Sequence, residues 1–191
     1  MYNCRKLTRK EIESVYSLYM KKDFPKDELK PLSMINRSLD KGQYFCYGIF
    51  DDDKLCGYAC FVSIDIDSKQ CCLLDYFAVL SDMRDKGIGS AFLRLLKDEL
   101  DPAEIVLCES ESPEGTENDE LVTRKRRIAF YLRNDLTDTG VTASVFGVKY
   151  VLLEFPVSRR HSGDEVRGYY SALYKSFLPE HLYNKFVSID K

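Results

Sequence analysis

The chain has 191 residues, 45% of them hydrophobic, so it can bury a sizeable core, and its length favours a single domain, 1–191. The formal net charge of -3 argues against nucleic acid as the main partner, because binding a phosphate backbone needs a clustered basic surface. The N-terminus has no apolar leader, and no run approaches the ~18 to 20 apolar residues of a membrane span, so we expect a cytoplasmic protein without a membrane partner.

Cysteine and histidine usage also limits the chemistry that this chain can perform. Its seven cysteines are an odd number without C-x-x-C spacing, which is typical of reduced thiols in the cytosol. Only His161 and His181 are present, so catalysis by a histidine-activated nucleophile is disfavoured. The adjacent Cys71 and Cys72 point to opposite faces of a predicted strand and cannot readily share an ion, so we expect no metal site.

The first forty residues predict an edge strand and two helices. The strand covers Tyr2 to Leu7, and Thr8 with Glu11 forms a capping box that opens a helix to about Lys22. A second helix is predicted to follow Pro25 and to end near residue 42, where a glycine suits a helix C-terminus.

Three strands come next, and the third carries an acid. Gln43 to Phe50 and Lys54 to Asp65 form a predicted hairpin around three aspartates. Cys71 to Leu80 is apolar and aromatic apart from Asp75, which suits a strand buried on both sides. Asp75 has two readings: a general base whose pKa is raised by burial, or an acid that is hydrogen-bonded to a neighbouring element.

A glycine-containing turn joins this strand to an amphipathic helix that runs to Leu100. Gly87 and Gly89 permit backbone angles and close approaches that a side chain would block. The unpaired N–H groups and the positive end of the helix dipole make such a turn attractive to phosphate. The turn is neither a Walker A loop nor a Rossmann fingerprint.

The order of a buried strand, Ser81-Asp82, and R-x-x-G-x-G as Arg84, Gly87 and Gly89 resembles the acyl-CoA-binding motif of the GNAT acyltransferase superfamily. The resemblance covers roughly residues 2–157. It implies an α/β fold with a mixed central sheet of about six to seven strands flanked by helices, and acetyl-CoA as acyl donor. It also implies that the cofactor-binding residues are Phe77, Ala78, Val79, Arg84, Asp85, Lys86, Gly87, Ile88, Gly89 and Ser90.

The segment after this helix predicts a short strand over Glu104 to Cys108, an acidic stretch over 109–120, and a further helix from about Glu117 to Asn134. Thr116 with Asp119 is a candidate cap for that helix. The acids have two readings, a solvated loop with a helix start or a field that attracts a cationic amine.

A second resemblance lies at the end of that helix, where the superfamily often has an aromatic residue followed by tyrosine. Phe130-Tyr131 stands at that place, which implies that Tyr131 protonates the departing CoA thiolate; the alternative is a packing tyrosine. Two departures are visible. Asn134-Asp135-Leu136 replaces the family's Gly-Phe, and Asp85 stands where the common turn has glycine.

The last fifty residues predict two or three further strands over Thr142 to Phe146 and Tyr150 to Val157, with turns at Gly140 and Gly147. Residues 158–191 exceed the minimal superfamily core. Their helical spacing predicts one or two packed helices, which could form a homodimer contact.

Three functions stay open at this point. Leu74 to Ser90 is similar to polyamine acetyltransferases, which have a glutamate at the place of Asp75, but seventeen residues are too few to carry over the acceptor. The leading prediction is an N-acetyltransferase acting on a small-molecule amine, with polyamine, amino-acid and aminoglycoside-like acceptors all open. The alternatives are a non-catalytic acyl-CoA-binding or regulatory domain and a protein or peptide N-acetyltransferase that binds a basic peptide through its acidic segment.

Overall fold

The computed structural model describes residues 2–26 and 28–190. Its described residues form an open sheet of eight strands in the order β1-β2-β3-β4-β5-β7-β6-β8, so the predicted α/β class is confirmed and the sheet is slightly larger than predicted. The strands are β1 Tyr2–Lys6, β2 Tyr44–Asp51, β3 Lys54–Ile66, β4 Lys69–Val79, β5 Ile105–Glu111, β6 Thr137–Val145, β7 Val148–Glu154 and β8 Val187–Asp190.

Helices lie between some of these strands in the sequence. They are α1 Arg9–Val15, continued by a π-helical turn Tyr16–Met20 and by α2 Lys21–Asp23, then α3 Leu32–Asp40, α4 Ile88–Leu100, α5 Asn118–Arg133, α6 Gly163–Phe177 and α7 Glu180–Phe186. A short 3-10 turn covers Ser81–Met83. Within the described part of the chain, no helix has the length and apolar character to cross a membrane.

The chain forms two compact units. The first comprises Met1–Ser63 and Leu74–Glu99, and the second comprises Ile64–Leu73 and Leu100–Lys191. The single domain with a core over 2–157 therefore stays a prediction.

The first unit is built on the antiparallel strands β1, β2 and β3, as the predicted edge strand and hairpin require. The capping box at the start of α1 is confirmed, since Thr8 accepts a hydrogen bond from the N–H of Glu11 and the Glu11 side chain accepts one from the N–H of Thr8. Gly57 of β3 allows a close approach to β4, because a Cβ atom there would lie 2.7 Å from the carbonyl oxygen of Ala78.

The predicted start of the second helix is wrong, although its end near Gly42 is right. The helix α3 begins at Leu32, after Pro31, rather than after Pro25. The phenol of Tyr76 donates a hydrogen bond to the Glu28 carbonyl and accepts one from the Lys30 N–H, so this stretch is held as a loop.

The second unit pairs β5, β7, β6 and β8 antiparallel. Gly140 is not in a turn between strands as predicted. It lies inside β6 with a φ of 70°, where the register with β7 shifts between Asp138 and Thr142, so this glycine makes a bulge. The turn at Gly147 is confirmed, with a φ of 85°.

The C-terminal tail is helical as predicted, but it also adds the strand β8 to the edge of the sheet. Ser162 and Glu165 form a second capping box at the start of α6. The residue before that cap, His161, is buried and pairs through Nδ1 with the buried carboxylate of Glu154.

The predicted Thr116–Asp119 cap of α5 is wrong. Glu117 is the N-cap residue and makes no side-chain capping bond, while the Thr116 hydroxyl donates to the carbonyl oxygen of Pro113. The helix bounds themselves agree with the prediction within one residue.

Candidate active site

The turn after β4 has the backbone shape that a phosphate-binding turn needs. Asp85 has a φ of 60° and Gly87 a φ of 74°, both in the left-handed region. Aspartate tolerates this region better than most residues, so Asp85 can adopt the backbone conformation of the turn although the family has glycine at this position. A Cβ atom on Gly87 would meet nothing within 4 Å, so the space beside this backbone is open.

The main-chain N–H groups of Gly87 to Ser90 have no hydrogen-bond acceptor among the described residues. The first helical bond of α4 runs from the Ala91 N–H to the Gly87 carbonyl, at 3.1 Å. The N–H groups before it are the donors that every helix start leaves unpaired, and they meet the positive end of the helix dipole. This segment is therefore suited to an anion.

Two cations flank the turn. The Arg84 guanidinium donates to the Val79 carbonyl at 3.2 Å and lies 3.5 Å from the Asp23 carboxylate, with 56% of its side chain exposed. The Lys86 ammonium donates to the Asp82 carbonyl at 2.9 Å. Both side chains are exposed and positively charged, so they can contribute to binding an anion at this turn.

Asp75 lies on β4 with both carboxylate oxygens bonded. The Lys30 ammonium is 2.5 Å from Oδ1, and the Tyr44 hydroxyl donates to Oδ2 at 2.8 Å. Burial, followed by the charge of Asp75, raises the pKa of Tyr44 well above its ordinary value, so this phenol remains a donor to the carboxylate. Sequence reasoning anticipated a bonding neighbour as one reading of Asp75 but found neither Lys30 nor Tyr44.

Tyr131 lies in the last turn of α5 and is buried. Its phenol interacts with the Cys108 thiol, and burial, followed by this thiol, raises the pKa of Tyr131 well above its ordinary value. A phenol is protonated at neutral pH even without this shift, and burial makes Tyr131 a weaker acid than a free tyrosine. Beyond the helix, Asp135 takes a φ of 69°, the conformation that suits the family's glycine, and the buried Leu136 follows.

A second carboxylate cluster was not found from the sequence. Glu109 of β5 accepts hydrogen bonds from the hydroxyls of Tyr170 and Tyr174 on α6, the latter at 2.6 Å. We expected Glu109 in an acidic loop and β5 to end at Cys108, but the strand continues to Glu111. The available signal was the same as for Asp75: an acid that directly follows four apolar residues.

The predicted cofactor residues and Asp75 lie in the first compact unit, and Tyr131 lies in the second together with Glu109. Within the first unit the structure brings Asp75 together with Lys30 and Tyr44. Within the second unit it brings Tyr131 together with Cys108.

Comparisons with known proteins agree with the motif. The model of the acetyltransferase (GNAT) family matches residues 10–113. A putative acetyltransferase from the GNAT family of Bacteroides thetaiotaomicron is 20% identical, with a TM-score of 0.63 over 91% of this chain and 96% of the other. A search of curated proteins found no match.

Two further solved structures share the fold. The ribosomal-protein-S18-alanine N-acetyltransferase from Escherichia coli is 16% identical, with a TM-score of 0.59 over 84% of this chain and 97% of that one. Arabidopsis thaliana NAA60 in complex with acetyl-CoA is 12% identical, with a TM-score of 0.59 over 81% and 98%. At these identities the likeness establishes the fold and leaves the acceptor open.

Proposed function

We propose, because this chain belongs to the GNAT acetyltransferase family, that it is an N-acetyltransferase that moves an acetyl group from acetyl-CoA to the primary amine of a small molecule. The observation that carries the proposal is the run of N–H groups from Gly87 to Ser90 without an acceptor in the described chain. A diphosphate provides acceptors for such groups, and it carries the charge that the helix start favours.

The residues around the turn fit an anionic group. The backbone at Gly87 faces open space, and the exposed cations of Arg84 and Lys86 lie on either side of Asp85 in the sequence. A side chain at the glycines would obstruct close approach to the backbone. Acetyl-CoA, when bound there, supplies an acyl group activated as a thioester. We propose that the main chain from Phe77 to Val79 aligns the pantetheine arm and that the Val79 amide faces the developing oxyanion.

Two side chains have proposed proton-handling roles. Asp75 binds the acceptor's amine and takes up its proton, directly or through water. Tyr131 is the proposed donor to the leaving thiolate, since a phenol is protonated at neutral pH.

The charges of the acidic segment favour a small amine over a basic peptide as acceptor. Glu111 is paired with Arg124 and Arg127, at 3.2 Å and 2.9 Å. Glu114 lies 3.3 Å from the Lys149 ammonium. Because these carboxylates are already compensated by the chain's own bases, they attract a cationic peptide less than the sequence alone indicates.

Calorimetric titration with CoA tests the phosphate-binding turn. We expect Gly89→Val to weaken CoA binding by about 10-fold or more, because a branched side chain obstructs the approach to the backbone. Gly168→Val is the matched control, because Gly168 is also a glycine inside a helix. A Cβ atom on Gly168 would meet nothing within 4 Å. Wild-type affinity in a folded Gly89→Val protein would contradict the assignment of this turn.

Thiol release from acetyl-CoA with a panel of amines tests the reaction itself. Turnover with small primary amines supports the proposal. Binding of CoA without transfer to any amine would instead indicate a regulatory acyl-CoA-binding domain. Activity confined to basic peptides would indicate a protein acetyltransferase.

A further inference from the structure

The Lys30 ammonium already occupies the carboxylate that is proposed to receive the acceptor. It lies 2.5 Å from Asp75 Oδ1, and Tyr44 takes the other oxygen at 2.8 Å. The Asp75 side chain is only 10% exposed, whereas that of Lys30 is 32% exposed. The lysine is therefore the more exposed member of the pair, and the acid is mostly buried.

The loop that carries Lys30 is also held by hydrogen bonds of its main chain. The Tyr76 hydroxyl accepts a hydrogen bond from the Lys30 N–H at 2.9 Å and donates to the Glu28 carbonyl at 3.0 Å. The Phe24 ring packs edge-on against the Tyr76 ring, with centroids 4.8 Å apart. These contacts do not use the Lys30 ammonium, so they are retained when the ammonium leaves Asp75.

We propose that the Lys30 ammonium occupies, beside Asp75, the position that the acceptor's ammonium takes when it binds. Asp75 then selects a primary amine at the end of an unbranched methylene chain, and this amine must displace Lys30 to bind. The inference rests on the proposed function and names the acceptor class for that site. A lysine side chain is itself such an amine, and its ammonium pairs with one oxygen of Asp75 while Tyr44 holds the other.

The tether makes Lys30 an effective competitor. A group on a short flexible linker acts at an effective concentration in the millimolar range. If Lys30 holds Asp75 in about nine molecules of ten, the apparent dissociation constant of an acceptor is raised about 10-fold. Lys30 is then a specificity-determining residue that excludes weakly binding amines.

Steady-state kinetics with saturating acetyl-CoA and 1,4-diaminobutane test this inference. In Lys30→Met, which keeps an unbranched side chain without the charge, we expect KM for the diamine to fall about 10-fold and kcat to stay within about twofold. Lys30→Arg should restore the high KM. Lys26→Met is the control, since it removes an exposed lysine from the same loop. An unchanged or higher KM in Lys30→Met would overturn the inference.

A binding measurement separates this inference from the proposed function. Calorimetric titration of 1,4-diaminobutane into the CoA-bound protein should give about 10-fold tighter binding for Lys30→Met than for the wild type. Equal or weaker binding by Lys30→Met overturns the role of Lys30, even in an active acetyltransferase. Absence of acetyl transfer to any amine by either protein sinks the proposed function, whatever the binding result.

Discussion

Asp75 in β4 and Glu109 in β5 look alike in sequence, but the fold gives them different partners. Each acid directly follows four apolar residues. Asp75 is bonded to an ammonium and one phenol, whereas Glu109 is bonded to two phenols through a single oxygen, Oε1. Lys30 is partly exposed and can leave, while Tyr170 and Tyr174 are buried. The comparison teaches that similar sequence patterns lead to different surroundings: the partners of Asp75 include a partly exposed cation, whereas Glu109 joins β5 to α6 through two buried phenols.

The largest expected difference is in turnover. Asp75→Asn should lower kcat/KM by about 10²-fold or more, because the amide cannot accept the amine's proton. Its effect on stability should be small, since Tyr44 can still donate to the amide oxygen and Lys30 can turn to water. The measurement is kinetics at saturating acetyl-CoA, alongside a CoA titration that should be unchanged. If Glu109→Gln lost more activity than Asp75→Asn, the two roles would be reversed.

Tyr131→Phe should lower the rate by about 10²-fold, with little loss of CoA affinity, as expected for a general acid. It sharpens the comparison because Tyr131 contacts Cys108, the strand neighbour of Glu109. Of the two neighbouring groups, the catalytic role would then belong to the phenol of α5 rather than to the carboxylate of β5. Unchanged turnover in the folded variant would remove Tyr131 from the mechanism.

Glu109→Leu should lower the free energy of unfolding by about 2 kcal/mol or more, because it leaves the two buried phenols without their acceptor. Glu109→Gln is the matched variant and should cost less, since an amide oxygen can still accept from both hydroxyls. Urea unfolding of the three proteins measures the difference. Equal stability of Glu109→Leu and the wild type would show that the cluster does not hold α6.

The smallest expected effect is a difference in alkaline stability. The pKa values of Tyr44, Tyr170 and Tyr174 are raised by burial first, and then by the neighbouring carboxylate. Their contribution to stability is complete below the ordinary tyrosine pKa of about 10 and is lost as the pH rises above it, because only the unfolded chain releases these protons. Each tyrosine adds up to about 1.4 kcal/mol per pH unit to that loss.

Phenylalanine variants show how much of this loss of stability at alkaline pH comes from the tyrosine at Asp75 and how much from the two tyrosines at Glu109. Urea unfolding between pH 9 and pH 11.5 measures how steeply the free energy of unfolding falls with pH. Tyr44→Phe should reduce this slope by the contribution of about one proton, and the Tyr170→Phe, Tyr174→Phe double variant by that of about two. Identical slopes in all three proteins would mean that these phenols ionise equally in both states.

Local patterns predicted most of the elements and the turn. The capping box of Thr8 and Glu11, the hairpin and the strand-turn-helix around Gly87 follow from residues a few positions apart, and the structure has each of them. The errors arose where distant residues intervened. The Tyr76 phenol keeps residues before Leu32 out of a helix, and β8 forms because Val187–Asp190 find an edge on β6.

The sequence by itself determined most of the helices and strands, the amphipathic helix faces and the strand-turn-helix around Gly87, because each depends on spacing along a few residues. Tertiary structure alone decided which groups meet the two carboxylates. The partners of Asp75 are 45 and 31 residues away, and those of Glu109 are 61 and 65 residues away. The periodic pattern of the sequence cannot predict contacts between residues so far apart, since these side chains meet only after packing has placed a loop on β4 and a helix on β5.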